Sequence, residues 1–210
     1  MEFKIRSAVF PIIIITAIVF FLQFFLGNDF TIKYILISHD IFSRPWILLT
    51  SIFLHGSPMH LLFNMYALAI FGPLLEQKIG PARFLFIYLF SGIFAAFFSS
   101  FFYNSALGAS GAIMGMLGVL IILMPDLPLL LFFVIPAPLW LAGIIFAAVD
   151  ILGVLFPSNV GNLAHLAGLG VGLGYGLLLR KQKKRFHRKF ESKKHLEKED
   201  LEEYLKTGKI

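Results

Sequence analysis

Seven polar side chains stand inside or at the edges of otherwise apolar runs: His55, His60, Asn64, Ser110, Asp150, Asn162 and His165. A serine with a histidine is the minimum for nucleophilic hydrolysis, because the imidazole takes the hydroxyl proton and later returns it to the leaving amine. Ser110 lies in Gly108-Ala109-Ser110-Gly111. Glycine on either side permits a sharp backbone path, and a serine opening a helix sits among free backbone N–H groups that face a developing oxyanion. The same tetrapeptide also suits a plain helix N-cap. His165 lies in Gly161-Asn162-Leu163-Ala164-His165-Leu166-Ala167-Gly168. His60 and Asn64 are four apart and share a helix face. Both can donate hydrogen bonds, either to an oxyanion together with the Ser110 N–H or to neighbouring helices. His55 is expected to be structural, bonding the loop before that helix. Asp150 is a single carboxylate with no acid/base partner at useful linear spacing, and is expected to be protonated or bonded to a neighbouring helix.

The elements that must position these groups are membrane spans. The chain is 58% hydrophobic and 14% charged over 210 residues, with a mean hydropathy of +0.84. A water-soluble domain carries about 25% charged residues. A span needs about 20 apolar residues, which leaves room for roughly six. They are expected at 8–26, 59–75, 82–102, 109–124, from about 129 or 138 to 156, and 162–179. The first is too long for a signal-peptide core and has no small-residue cleavage site after it. Residues 27–58 mix charged and apolar types, as a segment lying at the membrane interface does, with Trp46 as an anchor. Gly111, Gly115 and Gly118 in the fourth span and Gly168, Gly172 and Gly176 in the sixth make small-residue stripes. Two such helices can approach closely in lipid. That approach would bring the ends carrying Ser110 and His165 together.

Twelve Lys/Arg and six Asp/Glu lie from Arg180 onward, so the tail holds the whole net charge of +6. Basicity confined to a tail does not argue for a nucleic-acid partner. Lys4, Arg6, Lys78, Arg83 and the tail fall on one side of a six-span arrangement, and only Lys33 and Arg44 on the other. The positive-inside rule then places both termini in the cytoplasm. The expected division is a membrane domain over 1–180 and a charged cytoplasmic tail over 181–210, solvated and partly helical or binding anionic headgroups. The absence of cysteine excludes disulfides, thiolate nucleophiles, Cys-ligated zinc and iron–sulfur clusters. No His-Glu-x-x-His supports zinc protease chemistry, and no acidic ring or regular histidine pairing supports a channel or haem carrier. Neither a cofactor nor a metal is expected.

Taken together, His55-Gly-Ser-Pro-Met-His60-Leu-Leu-Phe-Asn64, Gly72-Pro-Leu-Leu-Glu76, Gly108-Ala-Ser110-Gly111 and Ala164-His165-Leu-Ala-Gly168 resemble the signature of the rhomboid intramembrane serine proteases, over residues 8–180. The resemblance implies an all-α membrane protein, a six-transmembrane-helix bundle, with a Ser–His dyad and no aspartate. It implies Ser110 as nucleophile, His165 as general base, and an oxyanion hole of His60, Asn64 and the Ser110 N–H. His55, Glu76, Gly108, Gly111 and Gly168 would be structural supports, Glu76 bracing helices at the cytoplasmic side. The fifth span would gate a substrate helix. The implied partners are a transmembrane protein substrate and membrane lipids, with the site opening to the outer face. Met114 stands where bacterial members often carry a tyrosine. A non-catalytic, membrane-protein-binding member of the family is the alternative.

Overall fold

The computed structural model describes residues 7–131, 134–156 and 160–191. Seven α-helices are present among these: α1 (Val9–Tyr34), the single-turn α2 (Ile47–Thr50), α3 (Pro58–Ile79), α4 (Pro81–Ser99), α5 (Ser110–Leu123), α6 (Leu139–Leu155) and α7 (Asn162–Glu191). By length and composition, α1, α3, α4 and residues 162–182 of α7 can each cross a membrane, while α5 and α6 are shorter apolar helices. The protein is an all-α membrane protein.

Local chemistry explains the boundaries. Ser57 caps α3 by accepting the His60 N–H, with Pro58 in the first turn, where a missing N–H costs nothing. Gly80, at φ 85°, ends α3 and Pro81 restarts the chain as α4. The outer surface is oily. Phe24 and Phe25 are each 76% exposed, and Phe86, Phe90, Phe94 and Phe98 stack in sequence along the outside of α4. Such a face is stable against lipid, not water.

One expectation needs correction, and two other helices are given sharper bounds. The first helix does not end at Leu26 but continues to Tyr34 across Gly27, whose φ of 73° interrupts the helix; a glycine tolerates that conformation and the helix resumes beyond it. Of the two expected starts of the fifth helix, about 129 or 138, the later one holds, since α6 begins at Leu139. Pro128–Leu131 (β3) and Ile135–Pro138 (β4) instead form a two-stranded antiparallel ribbon, because Pro128, Pro136 and Pro138 oppose helix but are tolerated at strand edges. The last helix runs past Arg180 to Glu191, so the expected boundary at 180/181 falls within a helix. Residues 192–210 of the tail, and Lys4 and Arg6, lie outside the described residues.

The core is built around α5. All ten residues from Gly111 to Leu120 are buried, and α5 touches α3, α4, α6 and α7. The closest neighbour is α7. A Cβ added at Gly168 would overlap the carbonyl of Gly111, and one at Gly172 the carbonyl of Gly115. The two stripes thus meet backbone to backbone.

Candidate active site

Four elements deliver the polar groups to the end of the bundle where α5 and α7 begin. The approach to α5 is held from both sides by the long first loop. Leu36–Ile37 (β1) pairs antiparallel with Ser105–Ala106 (β2), and the Gly108 N–H donates to the Ser51 carbonyl at 2.9 Å. Gly108 itself has φ 122°, and a Cβ there would lie 2.7 Å from Cε1 of His60. Glycine is therefore required twice over, by backbone conformation and by the imidazole against it. The start of α7 is tied to the same region, since the Leu163 N–H donates to the Tyr103 hydroxyl at 3.2 Å.

Ser110 is the first residue of α5. Its Oγ lies 2.7 Å from Nε2 of His165, which stands one turn into α7. Across the other ring nitrogen, Nδ1 of His165 lies 2.9 Å from Oδ1 of Asp150 on α6. The side chain of Asp150 is 7% exposed and that of His165 18%, so the carboxylate is shut in while the imidazole edge stays accessible. Ser110 and His165, 55 positions apart, are brought within hydrogen-bond distance of each other. Asp150, expected to be protonated or bonded to a neighbouring helix, is bonded to α7 through His165; its place in line with the serine is the part not expected. Its partner lies on a different helix, so linear spacing carried no sign of it. A signal does exist: Gly143, Asp150 and Gly153 lie seven and three apart, on one stripe of α6. A Cβ at Gly143 would overlap Ile121 of α5, and one at Gly153 would crowd Asn162 of α7. Small residues thus mark the face that turns inward with the carboxylate.

His60 lies against Gly108, two residues before the serine. Asn64 is buried, and its Nδ2 donates to the His60 carbonyl within α3 at 3.1 Å, leaving its second amide hydrogen. His55 lies in the loop before α3. Its backbone, not its ring, holds the loop: its N–H donates to Oε1 of Gln23 on α1 at 2.9 Å. Both ring nitrogens are buried, with no partner within hydrogen-bonding geometry among the described residues, and the ring meets His60 edge to face, 4.9 Å between centroids. Burial, reinforced by nearby His60, pushes the His55 imidazole down to about 4. At the opposite end of the bundle, Glu76 on α3 accepts hydrogen bonds from the Ser7 hydroxyl at 2.7 Å and from the Ala8 N–H, capping the start of α1. Among the described residues no three His, Cys, Asp or Glu side chains cluster as a metal site requires.

A bundle of apolar helices carrying a Ser–His–Asp line at one end defines a membrane protein with hydrolase-like geometry. The chain matches the Rhomboid domain over residues 43–182, and it belongs to the rhomboid family. It is 34% identical over 152 residues to the rhomboid protein YdcA of Bacillus subtilis, covering 67% of this chain and 70% of that one. It is 33% identical over 152 residues to RHOMBOID-like protein 6, mitochondrial, of Arabidopsis thaliana, covering 67% of this chain and 46% of that one. Over 78 residues it is 49% identical to the rhomboid protease GluP of Bacillus subtilis, covering 36% of this chain and 15% of that one. The chain thus spans less than half the length of the plant relative, and most of YdcA.

Proposed function

We propose that this protein is a serine endopeptidase that cleaves transmembrane proteins within the bilayer. The observation that carries the reading is the 2.7 Å contact between Ser110 Oγ and His165 Nε2, formed at the start of a buried helix. In the reaction, Ser110 Oγ attacks the scissile carbonyl carbon while its proton passes to Nε2. The carbonyl oxygen gains the negative charge, and the Ser110 N–H, His60 and the spare Asn64 hydrogen are the donors placed to receive it. Collapse of the tetrahedral species breaks the C–N bond, and His165 hands its proton to the departing amine. A water then attacks the acyl carbon and loses a proton to His165; the Oγ–acyl bond breaks, His165 returns that proton to Ser110 Oγ, and the acid is released.

Helix directions support a site opening away from the cytoplasm. The Glu76 contacts put the start of α1 beside the end of α3, on the side of Lys78 and Arg83. Lys33 and Arg44 lie toward the Ser110 end. The positive-inside rule then assigns the first side, with both termini, to the cytoplasm.

Replacing Ser110 by alanine in the purified, reconstituted protein should abolish both cleavage of a single-span test substrate and labelling by a fluorophosphonate. Cleavage that persists in Ser110→Ala would remove the proposal. Absence of labelling in the wild type would instead favour a non-catalytic member that binds membrane proteins.

A further inference from the structure

Asp150 takes no part in the reaction as written above, yet it occupies the one position from which a carboxylate can govern His165. It sits in the middle of an apolar helix, 5% exposed, and places Oδ1 2.9 Å from Nδ1. Among the described residues no lysine or arginine lies within ion-pair distance of it; its charged partner is His165. A buried carboxylate with one imidazole partner is either neutral or paired with that imidazole. The two cases have opposite chemical consequences. A carboxylic acid donates to Nδ1 and forces the remaining ring proton onto Nε2, which then faces Ser110 as N–H and cannot accept its proton. A carboxylate accepts from Nδ1–H and leaves the Nε2 lone pair aimed at the serine hydroxyl.

We propose that Asp150 is a positioning residue of this site, an ionised carboxylate that accepts the Nδ1–H of His165, fixes the tautomer able to accept the Ser110 proton, and offsets the imidazolium charge formed during acyl transfer. This rests on the serine-hydrolase reading above and adds a third member that the family resemblance does not supply. The contact also joins α6 to α7. The reactive tautomer is therefore held only while α6 stays seated at Gly153 against Asn162.

The test uses the full chain in lipid vesicles, with a fluorophosphonate as probe. In that reaction an Oγ–P bond forms, the P–F bond breaks, the hydroxyl proton passes to His165 and fluoride leaves. Asp150→Asn keeps the volume and hydrogen-bonding capacity but not the charge, and Asp150→Ala removes both. The maximal labelling rate should fall by about 10⁴-fold in both variants, the loss that follows when the aspartate of an unrelated triad is neutralised, with the half-saturating probe concentration unchanged. A purely structural bond between α6 and α7 predicts the reverse pattern, with Asn near wild type and Ala impaired, and that result would overturn the inference. The wild type gives a second reading that no variant can spoil by unfolding. In ¹⁵N-histidine-labelled protein the His165 signal, assigned by its loss in His165→Ala, should report a protonated Nδ1 and a bare Nε2. Protonation at Nε2 instead would refute the proposed charge on Asp150. If wild type labels no faster than Ser110→Ala, the hydrolase reading itself fails. If Ser110→Ala is silent while both Asp150 variants keep full rate, only the inference fails.

Discussion

Gly172→Ala is a single added methyl whose effect the geometry fixes in sign. The new Cβ would overlap the carbonyl of Gly115, a backbone atom of the most buried helix. No rotamer change can relieve an overlap with backbone, so α5 and α7 must separate or α7 must bend. Overpacking of this kind costs about 1–3 kcal/mol, and lost close contact along the remaining stripe adds to it. Against this stands the helix preference of alanine over glycine, about 1 kcal/mol. Gly170 and Gly174 flank the same position on the same helix, and a Cβ at either meets nothing within 4 Å. Those two substitutions receive the favourable contribution alone. The helix preference is common to all three and cancels, so Gly172→Ala should be less stable than Gly170→Ala or Gly174→Ala by about 1–3 kcal/mol. Thermal unfolding in one detergent, with all three variants beside wild type, reads the order directly. Because the same contact sets the 2.7 Å spacing of Ser110 and His165, fluorophosphonate labelling should also slow in Gly172→Ala and not in the other two. Equal unfolding midpoints for the three alanine variants would refute the idea that backbone contact between α5 and α7 holds the site together.

Two further perturbations follow from the ends of the bundle. The unfolded chain protonates His55 at its ordinary value near 6.5, whereas the folded chain resists protonation until about pH 4; between these values the unfolded state binds more protons. Stability should be level above pH 6.5 and fall through that window by about 3 kcal/mol. His55→Phe should flatten the fall, measured as unfolding midpoints at pH 7 and pH 5, and a variant as acid-sensitive as wild type would contradict the assignment. Glu76→Ala removes the acceptor for Ser7 and Ala8. It should cost about 2–3 kcal/mol, with Glu76→Gln losing about half of that, while labelling of Ser110 in the folded fraction stays at the wild-type rate.

What the sequence disclosed depended on whether the signal was local. The glycine spacing of α5 and α7 is a property of each helix alone, and small-xxx-small stripes have few uses in lipid other than close approach. The meeting of the helix ends that carry Ser110 and His165 is accordingly legible in the sequence. Helix starts at Pro58, Pro81 and Ser110 were similarly readable, since capping and proline act within one turn. Three features were not. The extension of α1 beyond Gly27 depends on the helix resuming after a non-helical residue, which composition does not announce. The β3–β4 ribbon depends on two proline-bearing segments finding each other. Asp150 depends on the rotation of α6 about its axis, and a carboxylate on an apolar helix reads identically whether it faces a histidine or a backbone donor. His55 was legible only in part: its structural role is local, but residue type does not announce that its backbone makes the bonds to Gln23.

The length of α5 ties these observations together. Its 14 residues rise about 21 Å, short of a hydrocarbon layer about 30 Å thick. At least one end of the central helix must lie below the membrane surface, with unpaired backbone groups that lipid cannot satisfy. At the Ser110 end the first loop meets that demand. Ser51 receives the Gly108 N–H, β1 covers β2, and α1 reaches over through Gln23 to hold the His55 backbone. A helix that ended at the surface would leave its first N–H groups to bulk water, where they stabilise a charge weakly. A helix ending below it, roofed by loop and walled by α6 and α7, keeps those donors for a charge that develops on the substrate. The structured first loop and the sunken start of α5 are therefore one requirement seen from two sides, and loosening the loop at Ser51 or Gln23 should weaken the site before it weakens the bundle.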